Sequence, residues 1–125
     1  MRRSRVLLVD DEEIFARNMS KLLMKRGYEV TVVNGGAAAI RALTSQDFDV
    51  MVLDLKMPGT DGMGTLKQVK KLGIPVETLI LTGHGSLETA LEAVRLGAYD
   101  YLTKPCQIEQ LVAKIGLAPA GDKQH

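Results

Sequence analysis

Short apolar runs alternate along the chain with stretches whose apolar residues recur at helical spacing. Arg5 to Val9, Glu29 to Val33, Val50 to Leu53, Val76 to Leu81 and Ala98 to Leu102 are strand-sized and mostly β-branched or Leu. Val6 to Val9, Val50 to Leu53 and Leu79 to Leu81 are nearly all apolar without alternation, the pattern of strands covered on both faces of a parallel sheet. Between the runs, Phe15, Met19, Leu22 and Leu23 fall at i, i+4, i+7 and i+8, and Gly27 offers a left-handed stop. Ala37 to Leu43 is Ala-rich and favours helix. Leu66 and Val69 share one face of a weaker segment closed by Gly73 and Pro75. Leu87, Ala90, Leu91 and Val94 repeat at i, i+3, i+4 and i+7, with Ser86 as N-cap and Gly97 as stop. Ile108, Leu111, Val112 and Ile115 repeat that spacing after Pro105.

The order is therefore β-α five times over. Strict alternation predicts an α/β fold, a doubly wound parallel sheet with right-handed crossovers and helices on both faces. Ligands of such open sheets bind outside the carboxyl ends of the strands, at the switch point in strand order. Periodicity is lost from Gly116 onward, so residues 1–116 are expected to form one domain and 117–125 a tail or the start of a linker.

Composition narrows the class. A chain of 125 residues fits one domain of ordinary size and buries about two-thirds of its unfolded surface, enough to need no disulfide or structural metal. Aromatics are 4% with no Trp, which leaves the core to Val, Leu, Ile, Ala and Met. Sixteen basic against 15 acidic side chains give a net charge of +1, with no clustered basic face of the kind a nucleic-acid footprint needs. The single Cys106 excludes an internal disulfide and fits a reducing compartment. Val6 to Val9 is far shorter than the roughly 7–15 apolar residues of an export signal, and no run approaches the ~18 of a membrane span. A cytoplasmic protein without membrane contact is expected.

Polar residues stand where four of the five strands stop: Asp10-Asp11, Asp54, Thr82 and Lys104-Pro105. Carboxylates gathered at one sheet edge repel without a cation, and an oxygen ligand set of this kind suits Mg²⁺. A carboxylate is also a nucleophile able to form an aspartyl phosphate, whose charge a metal, a Lys ammonium and a hydroxyl would meet. Each residue alone has a structural reading. Asp10 to Glu13 can serve a helix N-terminus, and Glu12 and Glu13 are read that way. Asp54 can be a turn residue before Met57-Pro58-Gly59. Thr82 and Lys104-Pro105 can be ordinary strand-end and turn residues, and Tyr101 a half-buried strand residue. Joint placement on strands one, three, four and five is what separate accidents rarely produce.

Four segments, 6–13, 52–62, 81–85 and 97–105, reading VLLVDDEE, VLDLKMPGTDG, LTGHG and GAYDYLTKP, resemble the receiver domain of bacterial response regulators, most closely those of the enhancer-binding, nitrogen-regulation type. The resemblance runs from about Arg5 to Ile115. It implies a flavodoxin-like (βα)5 fold with strand order 2-1-3-4-5. It makes Asp54 the phosphoacceptor, Asp10 and Asp11 the acidic pair for Mg²⁺ with Asp54 and the Lys56 carbonyl, and Thr82 and Lys104 the donors to the phosphoryl group. Tyr101 becomes the aromatic that switches with Thr82, and Lys104-Pro105 the site of a cis peptide. Lys56 and His84 become positions that face the attacking water. The implied partners are a histidine kinase or phosphotransfer protein and an output domain or partner protein reached through the face of the fourth helix, fifth strand and fifth helix. A phosphorylation-dependent homodimer stays open, and direct nucleic-acid binding is not expected.

Two other functions compete. A Mg²⁺-dependent phosphohydrolase working through the same aspartyl phosphate resembles the haloacid-dehalogenase pattern, but that pattern needs an Asp where this chain has Lys56. The other is a receiver-like interaction module that is never phosphorylated, against which the complete set Asp10, Asp11, Asp54, Thr82 and Lys104 argues. Cys106 is read as an inert thiol, and Gly35-Gly36 and Gly83/Gly85 match no nucleotide-binding fingerprint.

Overall fold

The structure, a computed structural model, describes residues 4–55, 62–83 and 87–119. Five strands and five helices alternate: β1 (Arg5–Val9), α1 (Glu13–Lys25), β2 (Glu29–Val33), α2 (Gly36–Ser45), β3 (Val50–Asp54), α3 (Gly62–Lys71), β4 (Glu77–Thr82), α4 (Leu87–Arg95), β5 (Asp100–Thr103) and α5 (Ile108–Gly116). All pairings are parallel, in the order β2-β1-β3-β4-β5. This is the expected doubly wound, flavodoxin-like sheet. Its chain order reverses at β1, so the carboxyl ends of β1 and β3 flank the switch point.

The apolar runs read as doubly covered strands are covered on both faces. Leu7, Val9, Met51, Leu53 and Ile80 belong to one buried cluster with Ala39 and Leu43 of α2, Leu66 and Val69 of α3 and Ala93 of α4. Val6, Leu8, Val50, Val52, Leu79 and Leu81 belong to the other, with Ala16, Met19 and Leu23 of α1 and Ile108, Leu111 and Ile115 of α5. The edge strand β2 is only partly covered. Among the described residues no helix is long and apolar enough to cross a membrane.

Several boundaries and faces differ from the sequence reading. β3 and β4 each run one residue further, into Asp54 and Thr82. Hydrophobicity stops before the ladder does: the Leu55 amide still donates to the Leu81 carbonyl at 3.1 Å and the Lys104 amide to the Thr82 carbonyl at 2.8 Å. β5 begins at Asp100 rather than Ala98, because Ala98 closes α4. Its amide donates to Ala93 O at 3.0 Å while Gly97, at φ +123°, donates to Val94 O at 3.0 Å. This paired bond needs a left-handed residue at the Gly97 position.

On α4 the buried side chains are Ala90 and Ala93, and Leu87 and Leu91 are 52% and 42% exposed. The helix approaches the sheet through small residues, which turns its stripe away from the two leucines. On α1 the buried set is Ala16, Met19, Ser20 and Leu23, and Leu22 faces solvent. Ser86, expected as the N-cap of α4, lies outside the described residues.

Candidate acidic site at the strand ends

The site begins with the sheet. Asp10 follows β1, and its amide donates to Val33 O at 3.0 Å, so the β1–β2 ladder carries it one step past the strand. Asp54 ends β3, and Thr82 ends β4 in register with Thr103. The Lys104 amide bonded to Thr82 O sets the next residue beside them, and the Lys104-Pro105 peptide is cis, as expected. Asp10, Asp54 and Thr82 are all buried. Buried polar groups at the end of an otherwise apolar sheet cost stability unless paired.

Among the described residues, the two carboxylates are paired through the Lys104 ammonium. Lys104 Nζ lies 2.8 Å from Asp10 Oδ2 and 3.3 Å from Asp54 Oδ2, donates to Glu12 Oε1, and stands 4.5 Å from the centroid of the Phe15 ring. The aromatic face adds its own attraction for the ammonium. Burial pushes the Lys104 pKa down, but the Asp10, Glu12 and Asp54 carboxylates outweigh it and hold the ammonium well above the usual lysine range.

Oxygens of Asp10, Glu12 and Asp54 all lie within 4.8 Å of one another. At that separation each carboxylate pair repels by about 3 kcal/mol for an effective dielectric constant of about 20. Among the described residues, one ammonium against these three carboxylates leaves two formal negative charges in excess. Asp10 Oδ2 is fully buried and meets Lys104 without the angles of a hydrogen bond. Excess charge and an incompletely satisfied buried oxygen make the cluster able to hold a metal ion.

Asp10, Asp54 and Lys104 thus converge as expected, with Thr82 on the adjoining strand end. The Thr82 hydroxyl donates to Gly83 O at 3.4 Å, a long and weak bond for a hydroxyl. Asp11, partly exposed, is not in the described carboxylate group, whereas Glu12 is. Glu12, expected as a helix N-terminal acid, does occupy the N-cap of α1, but its side chain makes no capping hydrogen bond. A Glu at a position that favours Ser, Thr, Asp or Asn was the available signal. Phe15, read only as a core-face residue, lies beside the ammonium.

Tyr101 is half-buried against the α2–α3–α4 side of the sheet, and its amide donates to Asp100 Oδ1 at 2.8 Å. Lys56 and His84 lie outside the described residues. Cys106 is buried, and burial pushes its thiol up, with the Lys104 charge pulling the other way. Gly62 was not singled out by the sequence reading. A Cβ there would stand 2.5 Å from the Asp54 carbonyl oxygen and 2.6 Å from Leu55 Cα, so α3 starts directly on the backbone that carries Asp54.

A family model for the response regulator receiver domain matches residues 6–116. The chain belongs to the response-regulator receiver family. The receiver is 38% identical over 115 residues to the transcriptional regulatory protein ZraR of Escherichia coli K12, and 36% identical over 115 residues to the DNA-binding transcriptional regulator NtrC of the same organism. Each match covers 92% of this chain, and 26% and 24% of the respective relatives. The chain therefore spans about a quarter of the length of these curated relatives. A response regulator receiver domain from Clostridium thermocellum superposes with a TM-score of 0.89 at 34% identity, covering 97% of this chain and 98% of that one. Likeness to NtrC agrees with the expected resemblance to receivers of the nitrogen-regulation type.

Proposed function

We propose that this receiver is a phosphorylation-dependent switch with Asp54 as its phosphoacceptor. The observation that carries the reading is Asp54 itself: a buried carboxylate at the end of β3, 3.3 Å from a lysine ammonium and beside the Asp10 carboxylate. An Asp54 oxygen attacks the phosphorus of a phosphohistidine on a histidine kinase or phosphotransfer protein. The P–N bond breaks, the imidazole nitrogen keeps the electron pair and takes a proton from water, and an acyl phosphate forms on Asp54. Asp10, Asp11, Asp54 and the Lys56 carbonyl are the groups that would hold Mg²⁺, which when bound offsets charge on the carboxylates and the phosphoryl oxygens. Lys104 then donates to a phosphoryl oxygen, and the Thr82 hydroxyl leaves Gly83 O to do the same.

Movement of Thr82 frees space for Tyr101 to repack, and the α4–β5–α5 face changes for an output domain or partner. The receiver assists its own phosphorylation and dephosphorylation without being a turnover enzyme, works in the cytoplasm, and leaves any nucleic-acid contact to other parts of the regulator. Residues 1–116 form the receiver domain in this reading, and 117–125 are a tail or the start of a linker.

The test is intact mass after incubation with acetyl phosphate, with and without Mg²⁺, on wild type and Asp54→Asn. A Mg²⁺-dependent phosphoryl adduct on wild type alone is expected. An adduct that persists in Asp54→Asn removes Asp54 as the acceptor. A folded wild type that takes no phosphoryl group from acetyl phosphate or a cognate kinase, and binds no phosphoryl mimic, refutes the switch.

A further inference from the structure

A lysine ammonium has three N–H donors, and Lys104 is surrounded by three carboxylates. Glu12 and Asp54 accept hydrogen bonds from it and Asp10 Oδ2 lies 2.8 Å away, so a phosphoryl oxygen arriving on Asp54 competes with carboxylates already drawn to this cation. The three differ in how easily they let go. The Asp10 side chain is wholly buried, and a carboxylate stripped of its partner in such a place is costly; Asp54, 5% exposed, is the group that carries the phosphoryl oxygens. Glu12 is 62% exposed, so it can turn into water and lose only the small net worth of an exposed ion pair.

Nothing in helix capping explains where its side chain goes. The Glu12 amide donates to Asp10 Oδ1 at 2.9 Å, which fixes the backbone beside the cluster, while the carboxylate caps no helical N–H and reaches Lys104 instead.

We propose that Glu12 is a latch on Lys104, holding the ammonium in the unphosphorylated receiver and yielding it to the phosphoryl oxygen on Asp54. This rests on the reading of Asp54 as phosphoacceptor and adds a positioning residue to it. Glu12 acts on the phosphoryl group through Lys104 alone. Opening the latch also takes one negative charge away from the incoming dianion. The latch sets a threshold: phosphorylation must outcompete a carboxylate already in place.

The test is a beryllofluoride titration at saturating Mg²⁺, followed by amide NMR, on wild type, Glu12→Gln, Glu13→Gln, Lys104→Met and Glu12→Gln/Lys104→Met. Each variant is first shown to be folded by circular dichroism in the same buffer. Glu12→Gln is expected to bind the mimic about two- to fivefold more tightly, the range an exposed ion pair commands. Glu13→Gln should match wild type, and Glu12→Gln should change nothing once Lys104 is Met. A gain that persists in the Lys104→Met background, or appears equally in Glu13→Gln, shows general charge repulsion and overturns the latch. Unchanged or weaker binding by Glu12→Gln overturns it as well.

A readout without metal or mimic separates this from failure of the phosphoacceptor reading. The Lys104 Nζ resonance of the free protein should move toward that of a solvated lysine in Glu12→Gln. If wild type binds no mimic, the phosphoacceptor reading fails and the latch falls with it. If wild type binds the mimic and the resonance does not move, only the latch fails.

Discussion

Replacing Lys104 by Met keeps most of the apolar stem and deletes the charge that holds the site together. Nζ lies 2.8 Å from Asp10 Oδ2 and 3.3 Å from Asp54 Oδ2, on a side chain only 14% exposed. For an effective dielectric constant of about 20 these contacts are gross attractions of roughly 6 and 5 kcal/mol. Much of that offsets the desolvation of the ammonium, and the net cost of removing one partner from a buried ion pair is about 3 kcal/mol. In a chain of this length such a loss lowers Tm by roughly 10 °C.

The assay is urea denaturation followed by far-UV circular dichroism, in EDTA and then in Mg²⁺. A further result identifies the cause. Mg²⁺ should restore Lys104→Met more than it stabilises wild type, because a divalent cation would supply the missing neutralisation. A Lys104→Met protein within about 0.5 kcal/mol of wild type in EDTA near neutral pH, the range of an uninvolved surface change, would refute the reasoning.

Gly62→Ala should cost about 1–3 kcal/mol, because a Cβ 2.5 Å from the Asp54 carbonyl forces backbone to move; urea melts read the cost. The shift should also weaken beryllofluoride binding, and an unaltered affinity would mean that Asp54 is not set by this contact. Tyr99→Phe should lose about 1 kcal/mol near neutral pH, since the hydroxyl donates to Lys114 O at 2.9 Å. Burial first, then the charges of Asp100 and Glu77, hold the Tyr99 phenol above its ordinary pKa. A raised folded pKa means stability that is present below the unfolded value of about 10 and lost as pH rises above it. Wild type should therefore lose more stability than Tyr99→Phe between about pH 9 and 11, with Lys104 acting in the same direction in both. Parallel losses in urea melts across that range would count against the assignment.

The fold was legible because its signals were redundant. An apolar run such as Val50 to Leu53 has no polar side to expose, so it demands cover on both faces, and three such runs within five strand-sized segments separated by helical periods admit few topologies. Faces were harder to read. Leu87 and Leu91 look like the anchors of α4, yet Ala90 and Ala93 are buried in their place, because close approach to a sheet selects small side chains and leaves larger ones at the flank. Strand ends were misplaced where chemistry begins, since the ladder continues through Asp54 and Thr82 after hydrophobicity has stopped. Glu12 and Phe15 entered the site through a turn and a helix start. Which way their side chains point depends on Lys104, 92 residues on from Glu12, and no local pattern carries that.

Charge counting links the proposed latch to the proposed phosphoacceptor. As described, Asp10, Glu12 and Asp54 against Lys104 sum to two negative charges. A divalent cation held there would bring these four groups to neutral. Turning the Asp54 carboxylate into an acyl phosphate then adds up to one further negative charge, since a phosphoryl group carries about −1.5 to −2. Departure of Glu12 returns the sum to neutral, and it is the one member whose carboxylate water can solvate at little cost. If Asp10 left instead, its charge would have to cross a buried site, and if Lys104 stayed latched the phosphoryl oxygens would lack their nearest donor. The arrangement that would keep both the metal-loaded and the phosphorylated cluster close to neutral is the one in which the exposed carboxylate comes and goes.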